Sequence, residues 1–495
     1  MKRPVRWPLL AVIGVFAASR VGYYLAGIRF DASPLAWYMH FIDPALLRSD
    51  FPRSLWHLHS QPPLFNLFLG AVVNLFPGRE TAAFASCYLL LGLAFAVTLF
   101  LLLRGFGLPD AWSVVATSVY VSSPGVVLYE NWLFYTFPVT VLLLVAARSW
   151  QRFAGRGRFV DALLLFAAGA ALALTWSVFH LAWLIGLVLA LALLRRRDWR
   201  KVVAAAAVPA LVVTLWYGKN LVQVGEFTGS TWFGMNFSRM TSMMLNGGER
   251  WLLHRNGTIS EVSLIPPFSD PERYSAKPAP TGIPVLDQVR RPSGRANFNN
   301  RLYIEVSRQA RRDAINIIRA HPIIYLRGLA RSFSLYFLPA SMNPPLYGNL
   351  GHIRGLDRFY SEVLNGWFGS YHPDHMPDMT DPLRYLWQNL PEEGWVLVLG
   401  YAAAIILGLL CLLQPTALGA RRLPLLFLWA NVVWMTVIGN AFDCGDNNRF
   451  RFAVDPLAFA LLLIIAHRLL CRLRLRRPSS GRSPVTPEPP SASGC

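Results

Sequence analysis

Runs of about twenty apolar residues recur along this chain, and a helix of that length crosses the hydrocarbon core of a bilayer. Within that core only a helix satisfies its own backbone without a closed barrel, so the expected fold class is an all-α polytopic membrane protein. Composition agrees: of 495 residues 54% are hydrophobic and only 15% charged. Segments 7–27, 81–103, 111–128, 132–148, 159–176, 181–194, 201–217, 396–414, 423–439 and 453–470 read as spans, a bundle of about 10–11 transmembrane helices with a large external loop region. Leu64–Phe76 is short for a span and is expected to be an interfacial or partly inserted helix.

The formal charge of +20 does not imply nucleic acid, because much of it lies in short segments between spans. Arg148, Arg152, Arg156 and Arg158 fall in one such segment, and Arg195, Arg196, Arg197, Arg200 and Lys201 in another. Arginine and lysine concentrate on the cytoplasmic side, so these mark the inside, and both termini are expected there. Residues 1–6 are basic and resemble the start of a signal peptide, but no clean small-x-small cleavage site follows, and 7–27 is read as a retained first span. Five cysteines without framework spacing argue against a disulfide scaffold or thiolate metal site.

Residues 28–60, 129–131, 218–395 and 440–452 are then left on the outer face. Residues 28–60 form the first external loop within a module covering 1–217, and 218–395 form a long external region. Residues 396–470 supply the C-terminal spans, with 440–452 looping outward, and 471–495 read as a disordered cytoplasmic tail. In the first loop Ser33-Pro34 and Asp43-Pro44 are helix starts, a cap followed by proline. Asp43 therefore reads as a cap, and Asp31 as an uncommitted carboxylate. The turn Trp56-His57-Leu58-His59-Ser60-Gln61-Pro62-Pro63-Leu64 is stiffened by its prolines, which lets His57, His59 and Gln61 face a charged ligand with little freedom to lose.

Arg20 lies near the outer end of the first span, where it either snorkels to the interface or contacts an anionic ligand. Tyr129-Glu130-Asn131 reads as a tight outer turn that holds Glu130 at the membrane surface. Leu302, Val306, Ala310, Ala314 and Ile318 make 299–320 an amphipathic helix with arginines on its other faces, suited to an anionic membrane surface or a domain face. Segment 322–340 is expected to be interfacial or re-entrant. Arg449 and Arg451 sit on the face where sorting disfavours arginine, which suggests an anionic partner such as phosphate; pairing with Asp443, Asp446 or Asp455 is the alternative.

Carboxylates beside cationic and imidazole donors on one face suit group transfer from a lipid phosphate, which needs a base for the attacking hydroxyl and fixed positive charge for the leaving phosphate. Asp31 fits the base and the arginines fit the clamp. On these motifs the chain resembles the GT-C membrane glycosyltransferases. It is most similar to the branch holding lipid A aminoarabinose transferase, galacturonosyltransferases of lipopolysaccharide and protein O-mannosyltransferases. Asp31, His59-Ser60-Gln61-Pro62-Pro63-Leu64, Tyr129-Glu130-Asn131, His321-Pro322 and Asn448-Arg449-Phe450-Arg451 carry the resemblance.

The resemblance implies catalytic roles for Asp31 and Glu130, and substrate-binding roles for Arg20, Asp43, His57, His59, Gln61, Asn448, Arg449 and Arg451. It also implies a polyprenyl-phosphate-linked sugar donor, a lipid, glycan or protein acceptor, no cofactor, contact with membrane lipids but not nucleic acid, and a place in the bacterial inner membrane with the site facing outward. Two departures stand out. Asp31 is followed by Ala32 where relatives often have a second acid, and Gln61 precedes Pro-Pro where many have Lys or His. The first loop has no Asp-x-Asp, which argues against an obligatory metal, and His372-Pro373-Asp374-His375 reads as a surface loop rather than a ligand set. Rival readings are a lipid or glycan transporter or flippase, for which no internal repeat is found, and a non-enzymatic assembly subunit.

Overall fold

The computed structural model describes residues 6–364, 395–414 and 422–476; these are helical apart from loops and two isolated β-bridges. His372–His375 and the segment 477–495 lie outside the described residues. In chain order the principal helices are α1 (Arg6–Leu25), α2 (Pro63–Leu75), α3 (Glu80–Gly105), α4 (Asp110–Val121), α5 (Pro124–Glu130), α6 (Thr136–Arg156), α7 (Phe159–Ala173) and α8 (Leu181–Leu194). They continue with α9 (Trp199–Val224), α10 (Phe233–Arg239), α11 (Leu302–Ala320), α12 (Pro322–Tyr336), α13 (Trp395–Leu413), α14 (Arg422–Ala441) and α15 (Asn447–Arg476).

Six of the described helices are long and apolar enough to cross a membrane: α1, α3, α9, α13, α14 and α15. A seventh candidate is the pair α4 and α5, bent by 59°. Pro124 explains the bend, since its ring and missing N–H stop α4 from continuing while its fixed φ starts α5. The expectation of ten or eleven spans also includes α6, α7 and α8, which are shorter or more charged than these six. At 1.5 Å per residue α7 and α8 reach only about 21–23 Å, against a core of about 30 Å. Helix α6 is long enough, but Arg148, Arg152 and Arg156 break its apolar pattern near one end. It runs through the middle of the bundle, with α3, α7, α14 and α15 packed against it.

The arginine-rich end is partly neutralised by its own pairs. Arg152 meets Asp161 at 2.8 Å, while Asp198 takes Arg195 at 2.8 Å and Lys201 at 3.1 Å. At the opposite end several expectations change. Tyr129 and Glu130 close α5 and are buried, so 129–131 is not a solvated turn. Arg20 reaches Glu130 through Nε at 2.9 Å and Nη2 at 2.5 Å, and donates to the Val121 carbonyl at 2.8 Å. Arg20 is thus neither snorkelling nor free for a ligand. Gly92 of α3 leaves the room this pair needs, because a Cβ there would run into the Glu130 carboxylate.

Ser33 makes no capping bond; instead Asp31 Oδ1 accepts from the Ser33 N–H at 2.9 Å, so the Asp31 carboxylate is partly committed to its own turn. Its backbone is pinned as well, bridging Asn131 and Leu133 at 2.8 and 3.0 Å. Asp43 does cap its helix, accepting from Ala45 N–H at 2.8 Å. Helix α11 buries Leu302, Val306, Ala310 and Ala314 as its periodicity suggests, but Ile317 rather than Ile318 ends the stripe, since a spacing of four drifts against 3.6 residues per turn. It packs on α10, where Gly234 sits against the Ser307 carbonyl with no space for a side chain. Helix α12, at 15 residues, does not meet the length of a span. Residues 471–476 continue α15 and do not begin a disordered tail.

Removing one member of a buried ion pair leaves the other charge unpaired, at a cost of about 3–5 kcal/mol. Glu130→Gln is therefore expected to lower the thermal midpoint of the detergent-solubilised protein sharply. The double change Arg20→Met with Glu130→Met should be milder than either single change. A double variant as unstable as the sum of the two singles would contradict this pairing.

Candidate active site

From Leu58 to Pro63 the Trp56–Leu64 turn is a buried node rather than an open ligand claw, with Trp56 exposed and His57 half-buried. Lys219 of α9 lies over the Trp216 ring and donates to the carbonyls of Trp56 and Leu58 at 3.1 and 2.8 Å. The His59 ring bonds Thr231 Oγ1 through Nδ1 and the Asn299 carbonyl through Nε2, both at 2.9 Å. Asn299 Oδ1 in turn accepts from the backbone N–H groups of His59 and Ser60. Ser230 Oγ donates to the Ser60 carbonyl at 2.6 Å, and the Thr231 N–H to the His59 carbonyl at 3.0 Å. Pro62 and Pro63 then launch α2. The two prolines freeze the backbone as expected, but the polar groups of the turn hold other loops in place.

Those loops surround a cavity of about 730 Å³ at the end of the bundle away from the arginine-rich turns. Gln61 is the one residue of the Trp56–Leu64 turn that lines it. Three arginines, Arg239, Arg295 and Arg449, share it with three aspartates, Asp270, Asp443 and Asp446. Between them stand aromatic rings, among them Tyr38, Tyr135, Trp176, Trp232, Phe298 and Phe450.

Arg449 is the most enclosed of the cations, its side chain 4% exposed. Its Nε donates to Asp446 at 2.5 Å and its Nη1 to Thr136 Oγ1 at 3.3 Å. Rings of Phe134, Phe450, Tyr135 and Trp176 lie 4.8–5.5 Å from the guanidinium carbon, within cation–π range. Arg239 pairs with Asp443 at 3.4 Å and lies 4.9 Å from the ring of Phe268. Phe268 has φ +60°, a left-handed backbone rare for a bulky residue, and it turns an aromatic face into the cavity.

The two neighbouring carboxylates differ in character. Burial pushes Asp443 above the ordinary carboxylate range, and Arg239 only partly offsets it. For Asp446 burial also pushes upward, but the charge and hydrogen bond of Arg449 outweigh it and hold the group below its usual value. Asp446 is thus a fixed anion, and Asp443 the readier proton acceptor. His40 stands between Tyr38, Phe134, Tyr135 and Trp232, with Nδ1 buried and without a protein partner. Burial, reinforced by Arg449, lowers its pKa to about 3, so it is neutral near pH 7. Asn343 also stands on the lining, its side chain beside the buried Tyr129 hydroxyl.

Of the residues singled out in the sequence, Gln61 and Arg449 meet at this cavity. Arg451 does not line it. It is fully buried in α15, bonded to Asp455 and to the carbonyls of Tyr336 and Leu338 at 2.9 and 2.7 Å. Asn448 is spent on the carbonyls of Pro339 and Met342. Asp31, Asp43, His57, His59, Arg20 and Glu130 are not on the lining either. His40, Arg239, Asn343, Asp443 and Asp446 were not proposed from sequence as site residues. The sequence marks His40 only through the aromatic run Trp37-Tyr38-Met39-His40 and Asp443 and Asp446 as alternative ion-pair partners of Arg449, and it carries no such signal for Arg239 or Asn343.

No protein family and no curated protein matches this chain. Two crystal structures of the Archaeoglobus fulgidus oligosaccharyltransferase are similar to it. The one in complex with Zn and sulfate has 11% identity and a TM-score of 0.41, and covers 94% of this chain and 52% of its own. The one tethered by a disulfide to an acceptor peptide containing the NVT sequon has 12% identity and a TM-score of 0.40, and covers 95% and 50%. This chain thus spans about half the length of those structures, and likeness at that level leaves both fold family and activity to be argued from the site.

The buried histidines make a pH prediction. His40 and His59 both have folded pKa values of about 3, burial being the main cause, against about 6.5 when unfolded. A depressed histidine pKa means that the unfolded state binds the proton, so stability is lost as pH falls below about 6.5. At pH 5 the loss is about 2 kcal/mol for each histidine. Thermal midpoints followed from pH 7.5 to 5 should fall, and His40→Phe should fall less steeply than the unmodified protein. Equal slopes would contradict a buried, neutral His40.

Proposed function

We propose that this chain is a GT-C membrane glycosyltransferase that moves a sugar from a polyprenyl-phosphate donor to a lipid, glycan or protein hydroxyl. The observation that carries the reading is the combined cavity at one end of a membrane bundle: an aromatic-caged arginine, flat ring faces, and a carboxylate with raised proton affinity. Arg449 is assigned the donor phosphate. A guanidinium offers five N–H donors in a planar fork that matches phosphate, and Asp446 and Thr136 engage two of them. The rings of Tyr135, Trp176 and Trp232 offer faces on which a sugar can stack.

In the reaction the acceptor hydroxyl loses its proton to a carboxylate, its oxygen bonds the anomeric carbon, and the bond from that carbon to the phosphate oxygen breaks. The electron pair leaves with polyprenyl phosphate, whose charge Arg449 stabilises. On position and proton affinity Asp443 is the better base, while Asp31 is the rival supported by the family resemblance. The orientation follows from charge: the arginine-rich turns oppose the cavity, so the cavity faces away from the cytoplasm, in a bacterial setting the outer side of the inner membrane. Modules 1–217, 218–395 and 396–470 then meet around it.

Purified protein given a panel of labelled polyprenyl-phosphate sugars tests the reading. Arg449→Ala should abolish or greatly weaken donor use, and Arg449→Lys should restore it only in part, because the fork is lost. Asp443→Asn should lower turnover by roughly 10²–10⁴-fold with donor binding retained. A dead Asp31→Asn protein beside an active Asp443→Asn protein would move the base to Asp31. No transfer from any donor, with lipid flipping instead, would replace the enzyme by the transporter.

A further inference from the structure

We infer that helix Gly247–Arg255, with the junction of α11 and α12, forms a cationic, apolar foot that docks into an anionic lipid leaflet beside the cavity. The inference does not depend on the reaction proposed above. The helix is built deliberately: Asn246 and Glu249 form a reciprocal capping box, with bonds of 2.9 and 2.8 Å. It buries none of its residues, and it presents Trp251 and Leu252 at 49% and 61% exposure. Arg255 lies over the Trp251 ring at 4.8 Å. Two large apolar side chains held outward on a capped helix are costly to leave in water.

The neighbouring surface continues the pattern. Leu245, Leu253 and Ile259 pack on Ile317 and Ile324, so the short helix lies against the α11–α12 junction. Around that contact Ile315, Ile323 and Leu326 are exposed. So are Arg319 and Arg327, and neither these nor Arg255 has an acidic partner among the described residues. The acid on the helix itself, Glu249, is engaged in the cap.

Depth follows from the spans. Tyr325 near the start of α12 donates to the carbonyl of Ala441, the last residue of α14, at 2.9 Å. Helix α12 packs against both α14 and α15. The junction therefore stands level with the end of a candidate span, where headgroups meet acyl chains. Tryptophan and leucine flanked by arginine are the residues that favour that layer, and uncompensated guanidinium groups select anionic headgroups. Charge and continuity with the lipid-facing bundle point to lipid rather than a protein partner.

The test places a fluorophore at Leu252→Cys, in a background with the five native cysteines replaced, in nanodiscs of phosphatidylcholine with or without one third phosphatidylglycerol. The expected result is a blue shift and strong quenching by nitroxide-labelled lipid, larger with phosphatidylglycerol, while Lys277→Cys stays water-exposed and unquenched. The triple change Arg255→Glu, Arg319→Glu, Arg327→Glu should remove the phosphatidylglycerol dependence. Native mass spectrometry reads the same point without the fluorophore: the triple variant should retain fewer phosphatidylglycerol molecules than the unmodified protein. A probe quenched no more than that at 277, or shielded without lipid quenching as in a protein contact, would overturn the inference, as would unchanged lipid retention.

Discussion

A guanidinium placed at the end of an apolar bundle has to be compensated, and the compensation of Arg449 organises much of this site. Asp446 supplies the charge, Thr136 an acceptor at the head of α6, and four rings supply polarisable walls. Holding Asp446 there requires the 442–446 loop to be fixed, and a buried amide does this. Asn447 donates to Asn440 Oδ1 at 3.1 Å, Ser332 Oγ at 2.9 Å and the Asp443 carbonyl at 3.1 Å. Helices α12, α14 and α15 are thereby tied to the loop that carries both cavity aspartates. In a low-dielectric setting a fully satisfied polar network of this kind specifies one arrangement, because any alternative strands a buried donor.

The opposite wall is held by the Trp56–Leu64 turn. Lys219 and His59 do not line the cavity, yet through them the turn fixes α9, the Ser230–Thr231 loop and Asn299 relative to one another. Gln61 reaches the cavity from the turn itself, Trp232 and Asn236 from just after Ser230–Thr231, and Phe298 from beside Asn299. Cavity shape therefore depends on hydrogen bonds made one layer behind its lining, and substitutions there are expected to act on substrate fit before chemistry.

The bundle was largely legible because span length and apolar content are direct consequences of the bilayer. The same reading takes α6, α7 and α8 as spans; α7 and α8 are shorter than the six long apolar helices, and the arginines of α6 lie at the end of the bundle opposite the cavity. Side-chain roles were less legible. Arg449 and Arg451 are two residues apart and look alike on paper, but on one helix they point about 200° apart, one to the cavity and one to Asp455. His59 stands out in its turn and ties loops together, while His40 is hidden within an aromatic run. Glu130 looked exposed because its partner Arg20 lies 110 residues away. Ser33 makes no cap because its own backbone is already helical, with φ −56° and ψ −30°, where a capping residue is extended, and pattern reading does not reveal that.

The central claim is that the cavity around Arg449 receives the phosphate of a lipid-linked sugar. A structure of the protein in lipid nanodiscs with a non-transferable phosphonate analogue of the donor tests it most directly. The account predicts a phosphonate oxygen within hydrogen-bond distance of the Arg449 guanidinium, the sugar against the Tyr135 and Trp176 rings, and Asp443 facing the anomeric carbon from the acceptor side. A phosphonate bound beside Asp31, with the Arg449–Asp446 pair undisturbed and the cavity holding no ligand, would contradict it.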